Sequence, residues 1–353
     1  MEWSDSMNEA PRLQSLATAV PPYILEQDEV QALARSYDGA GRSSIDRLLP
    51  VYENAGIQKR HSCVPIEWYM IDHDWSTRNR IYIENAVDLL EQTANRCLER
   101  AGLEIADIDA LVVASTTGIA TPSLDALLIE RMEMRRDVRR LPIFGLGCAG
   151  GVVGLARAAD IARAHPGSKV LFLVVELCAL TFRLGDLSPS NIVASALFGD
   201  GAAGAILSSE CDGPAVTASG EHTWQNSLDV MGWKIEEDGL GVLFSRDIPN
   251  LVRERFRPAL DDFLQRSDLP FSGIDEFVCH PGGAKVIEAL EDSLDMQHGT
   301  MRHARSVLRD YGNMSAATVL FVLERSLDRI SSGNRLLSTL GPGFTVGFLA
   351  LAA

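Results

Sequence analysis

Two separated stretches of this chain obey one pattern. Leu103–Gly118 reads LEIADIDALVVASTTG, and Leu269–Gly283 reads LPFSGIDEFVCHPGG. Each is a linker, an Ile-Asp pair, an apolar strand and a polar turn. A second pair of stretches matches in the same way. Gly147–Val175 carries Gly-Cys, a helix of small residues, a loop and a strand. From Gly312 the chain gives Gly-Asn, a small-residue helix over Ser315–Arg329, a loop over Ser331–Asn334 and a strand over Arg335–Leu340. It closes with Gly341–Gly343 and a strand over Phe344–Leu351. A chain that repeats its own order of elements is expected to fold as copies of one unit. The first copy is expected over residues 1–210 and the second over 215–353. Strands alternating with helices predict an α/β fold, its sheets buried under helices.

The composition sets limits on function. The 353 residues are 46% hydrophobic, enough for a large core in two halves. A net charge of −16, with no block of Lys or Arg, argues against a nucleic-acid partner. An anionic substrate needs a local basic patch working against the overall field. The six cysteines show no CxxC and no metal-ligand spacing, so they read as reduced thiols and no metal is expected. The opening MEWSDSMNEA lacks the marks of a signal peptide, and no apolar run reaches the length of a membrane span. A cytoplasmic protein is expected.

Residues 1–10 read as a loose tail, with short helices over Gln27–Ser36 and Ser44–Gly56. Lys59 and Arg60 read either as a solvated turn or as phosphate contacts at a pocket mouth. Apolar periodicity predicts a helix over Ile83–Ala101, stopped by Gly102. Ala110–Ser115 reads as a buried strand, a second helix starts at Ser123, and Lys169–Val175 is a further strand. FGDGAAG (Phe198–Gly204) reads as a turn into a strand over Ala205–Ser208. His165, in His-Pro-Gly, reads as a helix stop with no chemistry.

The centre of the first half is GLGCAGG, Gly145–Gly151. A strand-like run before it and a helix after it put Cys148 at a helix start. Glycines allow the sharp turn. Unpaired N–H groups and the helix dipole favour a thiolate there, predicting a thiol pKa below the free value of about 8.5. On this stretch alone, a nucleophile and a buried cysteine in a Gly-rich turn are equally good readings. The repeat sharpens the choice. It aligns Cys148 with Asn313 and the Thr116 turn with His280. Packed about a pseudo-twofold axis, Cys148, His280 and Asn313 converge. Taken singly, His280 reads as a structural histidine and Asn313 as a helix N-cap.

GLGCAGG, LFGDGAAG, CHPGG, YGNMSAA and GPGFTV, in this order and spacing, resemble the type III polyketide synthases, the chalcone-synthase-like enzymes of the thiolase fold. The resemblance spans nearly the whole chain. It implies a layered α-β-α-β-α architecture, a catalytic triad of Cys148, His280 and Asn313, and a homodimer. Acyl-CoA starters and malonyl-CoA as extender are implied, with no further cofactor. Thr116, Thr181, Phe198, Trp233 and Val242 match positions of the substrate cavity, Phe198 resembling a gatekeeping phenylalanine. Lys59, Arg60, Gly282 and Lys285 are the candidates for holding CoA. In GLGVLFSR (Gly239–Arg246), Val242 stands where plant members place a second phenylalanine. That change, with the TTGIATPSLDALL stretch, resembles bacterial alkylresorcinol and alkylpyrone synthases, which use fatty acyl starters. A ketoacyl-ACP synthase III is the nearest alternative, but it follows its histidine with Gln-Ala-Asn, not Pro-Gly-Gly. A silent thiolase-fold binding protein usually loses the nucleophile. A cysteine protease is not expected to carry the duplicated unit.

Overall fold

The computed structural model describes residues 10–36, 48–186, 188–327 and 333–352. Most of the expected tail, the start of the helix expected from Ser44, the end of that expected to Arg329 and part of the Ser331–Asn334 loop lie outside these residues.

The first half contains β1 (Arg12–Ala19), β2 (Tyr23–Glu26), α1 (Gln27–Ser36), α2 (Pro50–Asn54), β3 (Lys59–Ser62), α3 (Trp75–Ala101) and β4 (Ala110–Ala114). It continues with α4 (Leu124–Arg131), β5 (Arg139–Ile143), α5 (Gly150–Ala164), β6 (Val170–Leu177), α6 (Pro189–Leu197) and β7 (Asp200–Ser208). The second half holds β8 (Ala215–Thr223), β9 (Met231–Glu236), β10 (Gly239–Phe244), α7 (Ile248–Arg266) and β11 (Glu276–Cys279). It ends with α8 (Ala284–Ser293), α9 (Arg302–Tyr311), α10 (Thr318–Leu327), β12 (Arg335–Gly341) and β13 (Thr345–Ala352).

The main sheet runs β11-β12-β13-β8-β1-β7-β6-β4-β5. It reads as two sheets sharing an edge, because among the described residues the register of β1 and β8 pairs Arg12 with Ala215 alone. From that seam each side repeats the same directions. β1–β7 and β7–β6 are antiparallel and β6–β4 parallel. β8–β13 and β13–β12 are antiparallel and β12–β11 parallel. The first half adds β5, parallel to β4, as an outer edge. Helix α5 packs on β4, β6 and β7 and also on β12 and β13, so it lies between the two sheets. Helix α3 covers the outer face of the first sheet and α7 that of the second. The order is helix, sheet, helix, sheet, helix.

Strand alternation explains why β4 and β6 read as unbroken apolar runs. Val112, Phe172 and Val174 face the core around Val152 and Leu155 of α5. Leu111, Val113, Leu171 and Leu173 face the core around Leu90 and Ala94 of α3.

Two readings change. Helix α3 starts at Trp75, eight residues before the expected Ile83, because the Asp74 side chain caps it by accepting from the Thr77 N–H at 2.7 Å. FGDGAAG is not a turn; from Asp200 it is already strand β7. Its glycines answer to close packing. A Cβ on Gly201 would fall onto the Met314 sulfur.

Candidate active site

Strand β4 ends at Ala114, and the residues after it hold the cysteine turn. The Thr116 hydroxyl accepts from the Gly147 N–H at 3.1 Å. Gly147 has φ of +48°, and a Cβ there would meet the Pro342 ring at 2.6 Å. Glycine is therefore required on both conformational and steric grounds. Gly147–Ala149 form one 3₁₀ turn that runs directly into α5. Cys148 thus sits at the start of the central helix.

Strand β11 ends at Cys279, and His280 follows, its N–H bonded to Ser338 O at 2.9 Å. The imidazole is buried, and neither ring nitrogen has a hydrogen-bond partner. Asn313 follows α9. Its amide Nδ2 donates to Gly282 O at 3.2 Å and its Oδ1 accepts from the Ser315 N–H at 2.8 Å. That leaves one N–H of the Asn313 amide for another acceptor. Ser315 and Cys148 line one cavity. Hydrogen bonds thus run from Ser315 through Asn313 to Gly282, whose N–H donates to His280 O at 3.1 Å.

The protonation states differ from the sequence expectation. Burial pushes the Cys148 thiol up to about 12, against the lowering effect of Ser315, and the Glu176 carboxyl nearby raises it further. The helix start does not overcome burial. Burial brings His280 down to about 4. Burial thus disfavours the charged form of both groups. Glu176 was missed by the sequence reading, although a carboxylate inside an apolar strand was a visible signal. It is buried and pushed up to about 8 by burial, accepting from the Thr116 N–H at 3.0 Å.

The cavity over Cys148 is walled by Phe198, Met231, Trp233, Val242, Phe244 and Pro342. The β9–β10 hairpin supplies four of these, with Val242 opposite Trp233 and Phe244 opposite Met231. Phe198 meets Trp233 edge-on at 6.0 Å between centroids and Phe244 at 5.7 Å. Val242 does not simply open the wall. Phe244, two residues on and on the same face of the strand, places an aromatic ring there after all.

Other candidates are placed differently. Thr116 does not line this cavity; it is buried, holding Gly147 and Glu176. Thr181 lines a neighbouring cavity and donates to Cys178 O at 2.7 Å. Arg60 is no phosphate contact. It is buried, donates to Ser195 O at 2.5 Å and Phe198 O at 3.1 Å, and also binds Gln27. Lys59 is half-buried on β3 and Lys285 is exposed on the first turn of α8. Their segments approach each other, since a Cβ on Gly56 would lie 3.4 Å from that of Ala284. Gly282 is committed to Asn313 through its carbonyl. Among the described residues, no three His, Cys, Asp or Glu side chains are grouped to hold a metal, and no helix is long and apolar enough to cross a membrane.

Comparison with known proteins identifies the family. Residues 11–211 match the family "Chalcone and stilbene synthases, N-terminal domain", and residues 217–352 its C-terminal domain. The chain is 38% identical over 346 residues to the 1,3,6,8-tetrahydroxynaphthalene synthase of Streptomyces peucetius subsp. caesius, covering 95% of this chain and 91% of the other. It is 30% identical to the synthase of that name from Streptomyces griseus, over 93% and 89% of the two chains. The crystal structure of 1,3,6,8-tetrahydroxynaphthalene synthase from Streptomyces coelicolor A3(2), a bacterial type III polyketide synthase, superposes with a TM-score of 0.91 at 28% identity. It covers 97% of this chain and 99% of that one.

Proposed function

Because this chain belongs to the chalcone and stilbene synthase family and is a type III polyketide synthase, we propose that Cys148, His280 and Asn313 are its catalytic residues and that its starter is a fatty acyl-CoA. The product is an alkylpyrone or alkylresorcinol. The observation that carries the starter class is the wall over Cys148: Phe198, Met231, Trp233, Val242, Phe244 and Pro342 are apolar, and no charged side chain is among the cavity's lining residues.

The chemistry follows from the protonation states. Burial favours the neutral forms of Cys148 and His280, and in this reading the thiol proton passes to the imidazole as sulfur attacks the starter thioester. The tetrahedral adduct collapses, the C–S bond to CoA breaks, and the leaving thiolate takes the proton from His280. The acyl group is now on Cys148. Malonyl-CoA then loses carbon dioxide, and the electron pair of the broken C–C bond becomes an enolate. The free N–H of Asn313 and an N–H of His280 hold the enolate oxygen. One such donor is typically worth about 2.7–4 kcal/mol. The enolate carbon attacks the acyl-cysteine and releases the Cys148 thiolate, which recovers a proton. The lengthened chain cyclises after further rounds.

We also place CoA phosphates at Lys59 and Lys285, and the boundary between the halves at residues 211–214. The enzyme is read as a homodimer through β5, an edge strand, with Phe144 just after it 63% exposed. All six cysteines are free, which suits a reducing compartment such as the cytoplasm. Light scattering checks the dimer. The starter is checked by kcat/KM across acyl-CoA lengths with malonyl-CoA, products read by mass. A rise with length supports a fatty acyl starter; a flat profile, or preference for malonyl or aromatic starters, sinks it.

A further inference from the structure

Helix α6 ends against three residues from elsewhere in the chain. The last carbonyls of a helix have no partner within it. Here Ser195 O and Phe198 O both accept from Arg60 Nη1, at 2.5 and 3.1 Å. Ala196 O accepts from Gln27 Nε2 at 3.1 Å, and Leu197 O accepts from the Asn313 N–H at 2.8 Å. Arg60 is buried, and its Nη2 is bonded to Gln27 Oε1. A guanidinium suits this place: a cation is favoured at a helix C-terminus, and its rigid fork serves three acceptors at once.

The same helix end holds Asn313. Phe198 and Asn313 form a parallel β-bridge. The Asn313 N–H donates to Leu197 O, and the Gly199 N–H donates to Asn313 O at 3.1 Å. Both backbone groups of Asn313 are thus taken by the residues on either side of Phe198. The two segments touch closely. A Cβ on Gly199 would lie 2.4 Å from Tyr311 O and 3.1 Å from the Arg60 Cβ. One on Gly312, where φ is +69°, would lie 2.8 Å from Leu197 O and 3.5 Å from the Arg60 Cβ. Arg60 therefore stands beside both sides of the bridge. From that bridge the Asn313 amide reaches Gly282 O and the Ser315 N–H. A shift of the bridge re-aims the amide N–H left over.

We propose that Arg60 is a positioning residue for the reaction: it fixes the end of α6 and, through the bridge, the Asn313 amide that meets the enolate oxygen. The proposal rests on the donor role given to Asn313 above. It assigns Arg60 an effect on rate that is separate from its effect on stability. A misplacement of about 1 Å can cost about 10²-fold in rate, so a modest change at Arg60 is felt at Asn313.

The test is a double-mutant cycle read on malonyl-CoA decarboxylation. It uses the Cys148→Ala background, in which no acyl group can load on that sulfur, with each variant checked for folding by circular dichroism at the assay temperature. Arg60→Lys keeps the charge and loses the fork. It should lower kcat about tenfold and leave KM near its starting value. Asn313→Ala lowers kcat further, and adding Arg60→Lys to it should cost nothing more, because the group being positioned is gone. If the two losses multiply in the double variant, or Arg60→Lys leaves kcat unchanged, the proposal is overturned while the donor role of Asn313 stands. Gln27→Met is the second variant, for the case that Arg60→Lys does not fold. It removes an acceptor of the guanidinium and keeps the guanidinium itself. It should lower kcat several-fold, and only while Asn313 is present; an equal loss with and without Asn313 overturns the proposal. If Asn313→Ala leaves decarboxylation unchanged, the donor assignment falls and the positioning role with it.

Discussion

The two halves end equivalent strands in different ways. Strand register puts them in correspondence: Ala110 pairs with Val170 on one side and Glu276 with Arg335 on the other. Counted from those pairs, Thr116 matches Gly282, and Glu176 matches Gly341. In both halves the residue past the strand end binds the turn that starts the central helix. Thr116 does so through its hydroxyl on Gly147 N–H, and Gly282 through its carbonyl on the Asn313 amide. What is presented differs. The first half offers a sulfur backed by a buried carboxyl. The second offers an imidazole and an amide, and has glycine where the carboxyl would be. A Cβ on Gly341 would meet Ala149 and the Leu146 carbonyl at 2.6 Å. On the proposed assignment one scaffold supplies the nucleophile from one copy and the hydrogen-bond donors from the other, and residues of both copies line the cavity.

The largest expected effect falls on the nucleophile. Cys148→Ala should lower condensation by about 10⁴-fold or more, since no other group carries the acyl chain. Malonyl-CoA decarboxylation should persist, because the second half is intact. Product formation at a normal rate would end the division of roles. Asn313→Ala should then cost about 10²–10³-fold in both decarboxylation and condensation. If only acylation suffers, the donors belong elsewhere.

Smaller effects sharpen the positioning claims. Arg60→Ala leaves the Ser195 and Phe198 carbonyls unpaired in the interior and should destabilise the fold by about 3 kcal/mol. Denaturant melts would read this. A KM change for malonyl-CoA without loss of stability would return Arg60 to the phosphate site. Thr116→Val removes the acceptor for Gly147 and should lower kcat several-fold, at a stability cost of about 1–3 kcal/mol. Lys285→Ala should raise KM for malonyl-CoA a few-fold with kcat near normal, because the phosphates are far from the reacting carbon.

The pH dependence separates the halves again. Glu176 binds its proton more tightly when folded, with a pKa of about 8 against 4.5. Between those values the folded state holds the extra proton, so its contribution to stability falls as pH rises. His280 is opposite, about 4 against 6.5. The unfolded state holds the extra proton in that window, so its contribution rises with pH. Glu176→Gln should flatten the loss of stability between pH 5 and 8, and His280→Gln the gain between pH 4 and 6.5. Denaturation midpoints against pH would decide; a slope unchanged by Glu176→Gln would show that this carboxyl is not the proton holder.

Much of the frame was legible because it is local. Strands β4, β6 and β13 are buried on both faces, so their sequences are nearly unbroken apolar runs. Strands β1 and β8 mix polar and small residues along RLQSLATA and AVTASGEHT, and neither was recognised. The site was legible where a motif fixes a turn, as around Cys148 and Asn313. It failed where the deciding neighbours are distant in sequence. Arg60 reads as a surface charge until the carbonyls of Ser195 and Phe198 close on it. The Cys148 thiol is raised by a burial to which Met231, Trp233, Phe244 and Pro342 contribute, none of which its own turn reveals. Phe244 restores the ring that Val242 lacks because strand alternation brings i and i+2 to one face.

The most direct measurement is the intact mass of the protein after incubation with dodecanoyl-CoA alone, followed by peptide mapping. One dodecanoyl group per chain is predicted, on the peptide containing Cys148 and absent from Cys148→Ala, with free CoA released in equal amount. Addition of malonyl-CoA should then discharge it as lengthened product. An unmodified protein, or an acyl group on Cys178 that turns over normally, would contradict the assignment of Cys148 as the nucleophile.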